Sequence, residues 1–250
     1  MTTGYVVFEG PSTITGAPIV AVLTLRSTNE KTGNIPQLWI LDGETVPHVA
    51  TKTGADSSVC GGCVHRPSLG GSCYVLVHNA PRAVWQAWQD GRYPPADAEK
   101  LGLLFRLRAP RALRLGAYGD PCAIPLPVLR GLVESARSAG VVVLGYTHRW
   151  RAPMAHGYRD FLMASVDSPE ERAAADTAGW RTFRVRKHEA PTLANEERVC
   201  PAESDGMTCN ACRRCDGKAS PGRASVVIHA HGSPSRLHAW RRVRALRGDL

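Results

Sequence analysis

Short, nearly continuous apolar runs alternate with amphipathic stretches through the middle of the chain. Ala112–Tyr118 reads as a strand ended by Gly119-Asp120-Pro121, and Pro127–Ala139 as a helix closed by Gly140. Val141–Tyr146 and Phe161–Val166 read as further strands. Next, Ser168 fits an N-cap, Pro169 the first helical position and Glu171 the partner of a capping box, so a helix is expected to about Gly179. Arg181–Val185 and Ser225–His229 are the remaining strands. Apolar strands separated by helices suit a parallel sheet covered by helices. The expected fold is α/β, a (β/α) barrel of incomplete or irregular form. Polar residues gather just past the strands (Asp120, Thr147, His148, Asp167, Ser168, Arg186, Lys187, Cys200), where α/β folds carry their sites. The first hundred residues are less periodic. Ile19–Leu25, Gln37–Leu41 and Tyr74–Val77 are expected strands, and Ala80–Asp90 a helix with Trp85 and Trp88 on one face.

At 250 residues, 43% hydrophobic and 21% charged, the chain suits one large domain, or a domain with a small appendage. Residues 1–199 are assigned to the barrel-like domain, with a Cys-rich loop at 56–74. Residues 200–232 form a Cys-rich metal element completing it, and 233–250 a basic C-terminal tail. No apolar run reaches the ~18 residues of a membrane span, and no basic-then-apolar leader opens the chain. Cytoplasmic residence is therefore expected, and there eight cysteines serve as ligands or reactive thiols sooner than as disulfides. The net charge of +9 favours an anionic partner, nucleic acid above all, although a merely solvated basic surface fits the same number. In the tail, Arg241, Arg244 and Arg247 fit one helix face for phosphate contact, or equally a frayed, solvated end.

The strongest chemical signal is Cys200-Pro201 followed by Cys209-x2-Cys212-x2-Cys215. Thiolates at this spacing reach one metal centre because a tight turn aims them together. Zinc fits with four cysteines, or with three and His229 or His231. A 4Fe-4S cluster fits with four cysteines. A second knuckle, Cys60-Gly61-Gly62-Cys63, with Cys73 or His65 to complete it, is a second possible metal site, and its three cysteines suit a cluster with one iron left open. Cys122 reads as a small buried side chain.

Asp120 and Asp167 each follow a strand and suit a nucleophile and an acid/base partner. Asp167 equally suits a helix cap, whereas no clean capping register is visible for Asp120. Lys31 and Asn34, in a polar Gly-bearing loop, and His148, Arg149 and Arg151, beside Trp150, are candidate phosphate or base contacts.

These residues resemble a known pattern. Asn29, Lys31-Thr32, Ser58 to Cys63 with Cys73-Tyr74, Gly119-Asp120, Cys200-Pro201-Ala202, the Cys209–Cys215 run and Val227–His231 are similar to bacteriophage proteins of the gene product 88-like family, over residues 25–232. More distantly, the layout resembles tRNA-guanine transglycosylases and their deazaguanine-inserting DNA counterparts. That resemblance implies a (β/α) barrel and structural zinc held by Cys209, Cys212 and Cys215 with His229 or Cys200. It also implies an aspartate pair, Asp120 and Asp167, one attacking C1′ and the other managing the proton of the incoming base. The chain departs from it in cysteine spacing, barrel length and the Cys60 group.

Three functions follow as expectations. The first is exchange of guanine in DNA for a free deazaguanine base, in the host cytoplasm for a phage-encoded chain. The second is an iron–sulfur enzyme, of the radical S-adenosylmethionine kind at Cys60, Cys63 and Cys73. The third is a zinc-stabilised nucleic-acid-binding protein without catalysis.

Overall fold

A computed structural model describes residues 2–187, 190, 192–193, 196–220 and 222–246. In chain order the elements are β1 (Gly4–Pro11), β2 (Pro18–Thr24), β3 (Gln37–Asp42), α1 (Pro47–Thr53), α2 (Ser57–Cys60), α3 (Ala80–Gln89), α4 (Ala98–Arg108), β4 (Ala112–Tyr118), α5 (Leu126–Ser138), β5 (Val142–Leu144), β6 (Tyr146–Thr147), β7 (Met163–Val166), α6 (Pro169–Thr177), β8 (Thr182–Arg186), β9 (Glu197–Val199), α7 (Pro201–Ser204), α8 (Cys209–Cys212), β10 (Ser225–His229) and α9 (Pro234–Leu246).

The strands form two five-stranded sheets, ordered β1-β2-β3-β4-β5 and β6-β7-β8-β10-β9. β1, β2 and β3 pair antiparallel, and every other pairing is parallel. Only Gly145 separates β5 from β6, and a Cβ there would come within 2.6 Å of Leu162 and 3.0 Å of Leu115, so no side chain fits at the junction. The fold is thus mixed α/β with parallel sheets and helices, as the alternation predicts. The opening strands differ because the short link from Pro11 to Pro18 can join only antiparallel neighbours.

Several expected elements fall in place. Ser168 caps α6, accepting the Glu171 backbone N–H, and the Glu171 carboxylate accepts the Asp167 N–H at 2.8 Å, close to a capping box. Tyr74–Val77 is not a strand. Tyr74 and Leu76 face solvent, so the alternate side chains on that side have no core to cover, and the stretch runs unpaired into a turn. The basic tail is not a tail either. Residues 234–246 are helical, and Trp240, Val243 and Arg244 are buried. Arg241 is exposed while Arg244 is buried, so the two share no solvent-facing stripe, and Arg247 lies outside the described residues.

Two apolar cores follow from this layout. The larger packs α4, α5 and the first sheet with β7, and its members include Leu113, Leu115, Val143 and Phe105. A smaller one gathers Ile35, Ala112, Leu144, Met163, Cys215 and Val226, with Tyr146, Phe183, Cys200 and Cys209 against it. The late cysteine segment therefore packs on the sheet, and its two flanking strands, β9 and β10, pair with each other. No described helix is long and apolar enough to cross a membrane.

Candidate functional site

The C-terminal ends of β4, β6 and β7 bring Asp120, Thr147, His148 and Asp167 to one edge of the sheets. Asp120 is fully engaged. Its carboxylate accepts the Thr147 hydroxyl at 2.8 and 3.0 Å, the Cys122 backbone N–H at 3.0 Å and the His148 backbone N–H at 2.9 Å. It caps the short 3-10 turn Pro121–Ala123, so a capping register exists where the sequence pattern shows none. The cap serves a single turn, without the apolar periodicity that makes a longer helix visible. A carboxylate holding three groups braces neighbouring strands.

Asp167 meets His65. The imidazole Nε2 lies 2.6 Å from Asp167 Oδ2, and Nδ1 lies 2.7 Å from the Ser72 hydroxyl. The exposed His148 ring stacks edge-on to His65 at 5.5 Å, and the Trp240 indole N–H reaches Asp167 Oδ1 at 3.4 Å. Burial pushes the Asp167 carboxyl up, but the His65 hydrogen bond and the histidine charges outweigh it and hold the acid below its ordinary value. A Ser–His–Asp chain therefore runs from loop 56–74 to the end of β7.

Arg66 organises that loop. Its guanidinium donates to Asp56 Oδ1 at 2.6 and 3.1 Å, to Gly54 O at 2.7 Å and to Gly61 O at 3.0 Å. The Asp120 N–H donates to Val59 O at 2.7 Å and ties α2 to β4. At Gly71 a Cβ would sit 2.3 Å from His65 C, so only glycine lets the loop close on itself. The result gathers Cys60, Cys63 and Cys73 within electrostatic reach of one another, beside Asp120 and Asp167. Burial raises all three thiols, Cys73 to about 11.

Cys200, Cys209, Cys212 and Cys215 form the other group, with Cys200, Cys209 and Cys215 each within electrostatic reach of fellow thiols. Thr208 caps α8, and the Cys209 and Asn210 N–H groups donate to Lys31 O and Thr32 O, at 3.1 and 3.0 Å. Cys215 is fixed by its carbonyl, which accepts the Gly145 N–H at 3.1 Å. Burial raises Cys200, Cys209 and Cys215. His229, the expected fourth zinc ligand, pairs through Nδ1 with Glu203, whose other oxygen accepts the His229 N–H at 2.7 Å. The Tyr74 ring, next to Cys73, lies 5.9 Å from His231. Among the described residues, no three His, Cys, Asp or Glu side chains stand at the spacing that holds a single metal ion.

The remaining expected contacts separate. Lys31 and Asn34 are exposed beside α8, with Asn34 Oδ1 accepting the Ser27 N–H at 3.3 Å. Arg151 stacks on Trp150 at 4.0 Å and pairs with Glu171 at 2.9 Å. Arg149 lies against Gly61. Ser72, Arg66 and Trp240 join the site with no motif to mark them: Ser72 and Arg66 meet His65 and Asp56 within their own loop, and Trp240 meets Asp167 from far along the chain. Compared with family models, curated proteins and solved structures, the chain matches none.

Proposed function

We propose that the protein is an iron–sulfur enzyme with two cysteine-bound centres. One centre would be held by Cys60, Cys63 and Cys73, the other by Cys200, Cys209, Cys212 and Cys215. The reading is carried by the gathering of three cysteines over the ends of the parallel strands, with four more on the sheet face. The donor sets fit the group. A 4Fe-4S cluster takes four thiolates, and three leave one iron free for a small molecule such as S-adenosylmethionine. Thiolates on one zinc at ~2.3 Å crowd within about 4 Å of each other, whereas a cluster spreads them over several irons.

A cluster with an open iron binds a ligand heteroatom and passes single electrons. The chain's own residues would surround that position. Asp120 fixes the strand ends, while the Asp167–His65–Ser72 chain offers a hydrogen-bonded path beside it. We read the two sheets as one incomplete (β/α) barrel, with β5 and β6 as a single bent strand and the three-cysteine centre at its mouth.

Base exchange on DNA is the second reading. Asp167, held in its ionised form, favours it. It needs a carboxylate free to attack C1′, and Asp120 is committed to three partners. Zinc in the four-cysteine group would accompany this reading.

Anaerobic purification and reconstitution separate the two. The iron–sulfur reading expects a brown protein absorbing near ~400 nm, with iron and sulfide content falling by half in Cys60→Ala/Cys63→Ala and an altered electron paramagnetic resonance signal on adding S-adenosylmethionine. A colourless protein with stoichiometric zinc that exchanges labelled guanine into DNA would overturn it.

A further inference from the structure

Arg114 belongs to the first sheet. On β4 it lies two residues beyond Ala112 and level with Leu144 of β5. Side chains alternate along a strand, and parallel partners in register share a face. Ala112 and Leu144 both belong to the smaller core with Cys215, so Arg114 shares that face with the late cysteines. Tyr146, two residues beyond Leu144, packs there too. The Arg114 guanidinium donates to the Tyr74 hydroxyl at 3.4 Å, with the Cys209 thiol and the Tyr146 phenol in electrostatic reach.

Arg114 differs from the arginines that pair with acids, as the half-buried Arg149, Arg159 and Arg213 also do. Arg66, Arg151, Arg181, Arg184 and Arg223 each pair with a carboxylate. Arg114 pairs with none among the described residues, although it is half-buried. A guanidinium withdrawn from water without counter-charge is costly, and its charge cannot be shed. Its neighbours include the Cys209 thiol and the phenols of Tyr74 and Tyr146.

We propose that Arg114 is the counter-cation of the anionic centre formed when Cys200, Cys209, Cys212 and Cys215 bind their cluster. This rests on the iron–sulfur reading above. Four thiolates carry more negative charge than the cluster core offsets, and reduction adds one more. A fixed cation beside Cys209 stabilises the reduced form more than the oxidised form and so raises the reduction potential. Arg114 acts here as a positioning and tuning residue through the cluster, without touching substrate. Tyr74 steers the guanidinium, and because it follows Cys73 it links the two cysteine groups.

The test is a spectroelectrochemical titration of the full chain, reconstituted anaerobically. Cys73→Ala identifies which of two reduction waves belongs to the four-cysteine centre. In Arg114→Gln that wave shifts to more negative potential and the other stays within error, while Arg114→Lys, which keeps a charge, shifts it less. Far-UV circular dichroism of each variant checks folding, and Arg114→Met carries the same test if the Gln variant fails to fold. Two loaded clusters with unmoved potentials in the neutral variants would overturn the role of Arg114 and leave the iron–sulfur reading intact. A chain that loads no cluster at the late cysteines would overturn both.

Discussion

The His65 imidazole and the Asp167 carboxylate meet at 2.6 Å across 102 residues of sequence. Both are buried, and this contact fastens loop 56–74 to the end of β7. Asp167→Ala leaves His65 without its acceptor and Trp240 without its partner. Removing one member of a buried charge-assisted pair costs ~3–5 kcal/mol. Urea unfolding of the metal-free chain should show a loss of that order, and a loss below about 0.5 kcal/mol would mean the contact holds nothing together.

The same pair sets an acid limit. The folded Asp167 carboxyl titrates below its unfolded value of ~3.9. Its contribution is therefore fully present above the unfolded value and disappears as pH falls through the lower folded one. The stability gap between wild type and Asp167→Asn should be constant from pH 5 to 7 and narrow below about pH 4. A gap that widens on acidification contradicts the assignment.

Thr147 separates a brace from a nucleophile at Asp120. Thr147→Val keeps the shape and removes the hydroxyl that Asp120 accepts at 2.8 Å. A buried acceptor losing one of its partners costs about 1–3 kcal/mol. A matching drop in thermal midpoint, with base exchange absent in both proteins, supports the brace. Normal stability with altered exchange kinetics supports the nucleophile.

Gly71 tests whether loop closure creates the three-cysteine group. In Gly71→Ala the new methyl would overlap the His65 backbone, which cannot move without loosening the His65–Asp167 contact. Cys60, Cys63 and Cys73 should then lose metal while the four-cysteine group keeps its own. Gly62→Ala, in the same loop, where a Cβ meets open space and φ is not positive, is the control. Equal metal content in both variants would show that the loop tolerates the methyl.

The parallel strands were legible because each is a short apolar run with a turn behind it. Ala112–Tyr118 and Ser225–His229 match their strands to the residue. β1 was not legible. Gly4–Pro11 has a mixed burial pattern and a bulge between Val6 and Phe8, which breaks the period-two signal. Tyr74–Val77 looked like a strand because β-propensity reports the residue types and not whether an edge is near. The cysteines were visible as spacing, and so were Asp120 and Asp167 as strand ends. That Asp167 pairs with His65, or that Trp240 folds back onto it, is a long-range packing outcome that no local pattern carries. The charge of α9 suggested a solvated end, and only Trp240 and Val243 hinted at burial.

Thiol burial makes metal loading strongly pH-dependent. Burial raises Cys60, Cys63, Cys73, Cys200, Cys209 and Cys215 above ordinary thiols, with Cys73 at about 11. These groups are protonated at pH 7 without metal, and a bound ion or cluster must displace their protons. Affinity should therefore rise with pH across the neutral range, as more of the proton cost is met by the solvent. Loading the four-cysteine group should release about three protons from the raised Cys200, Cys209 and Cys215, seen as a slope of about three in log affinity against pH. Cys209→Ala should lower that slope by about one while leaving the three-cysteine group unchanged. Uptake that is flat between pH 6 and 8 would exclude thiolate ligation, because neutral thiols are poor ligands and only their loss of protons couples the metal to pH.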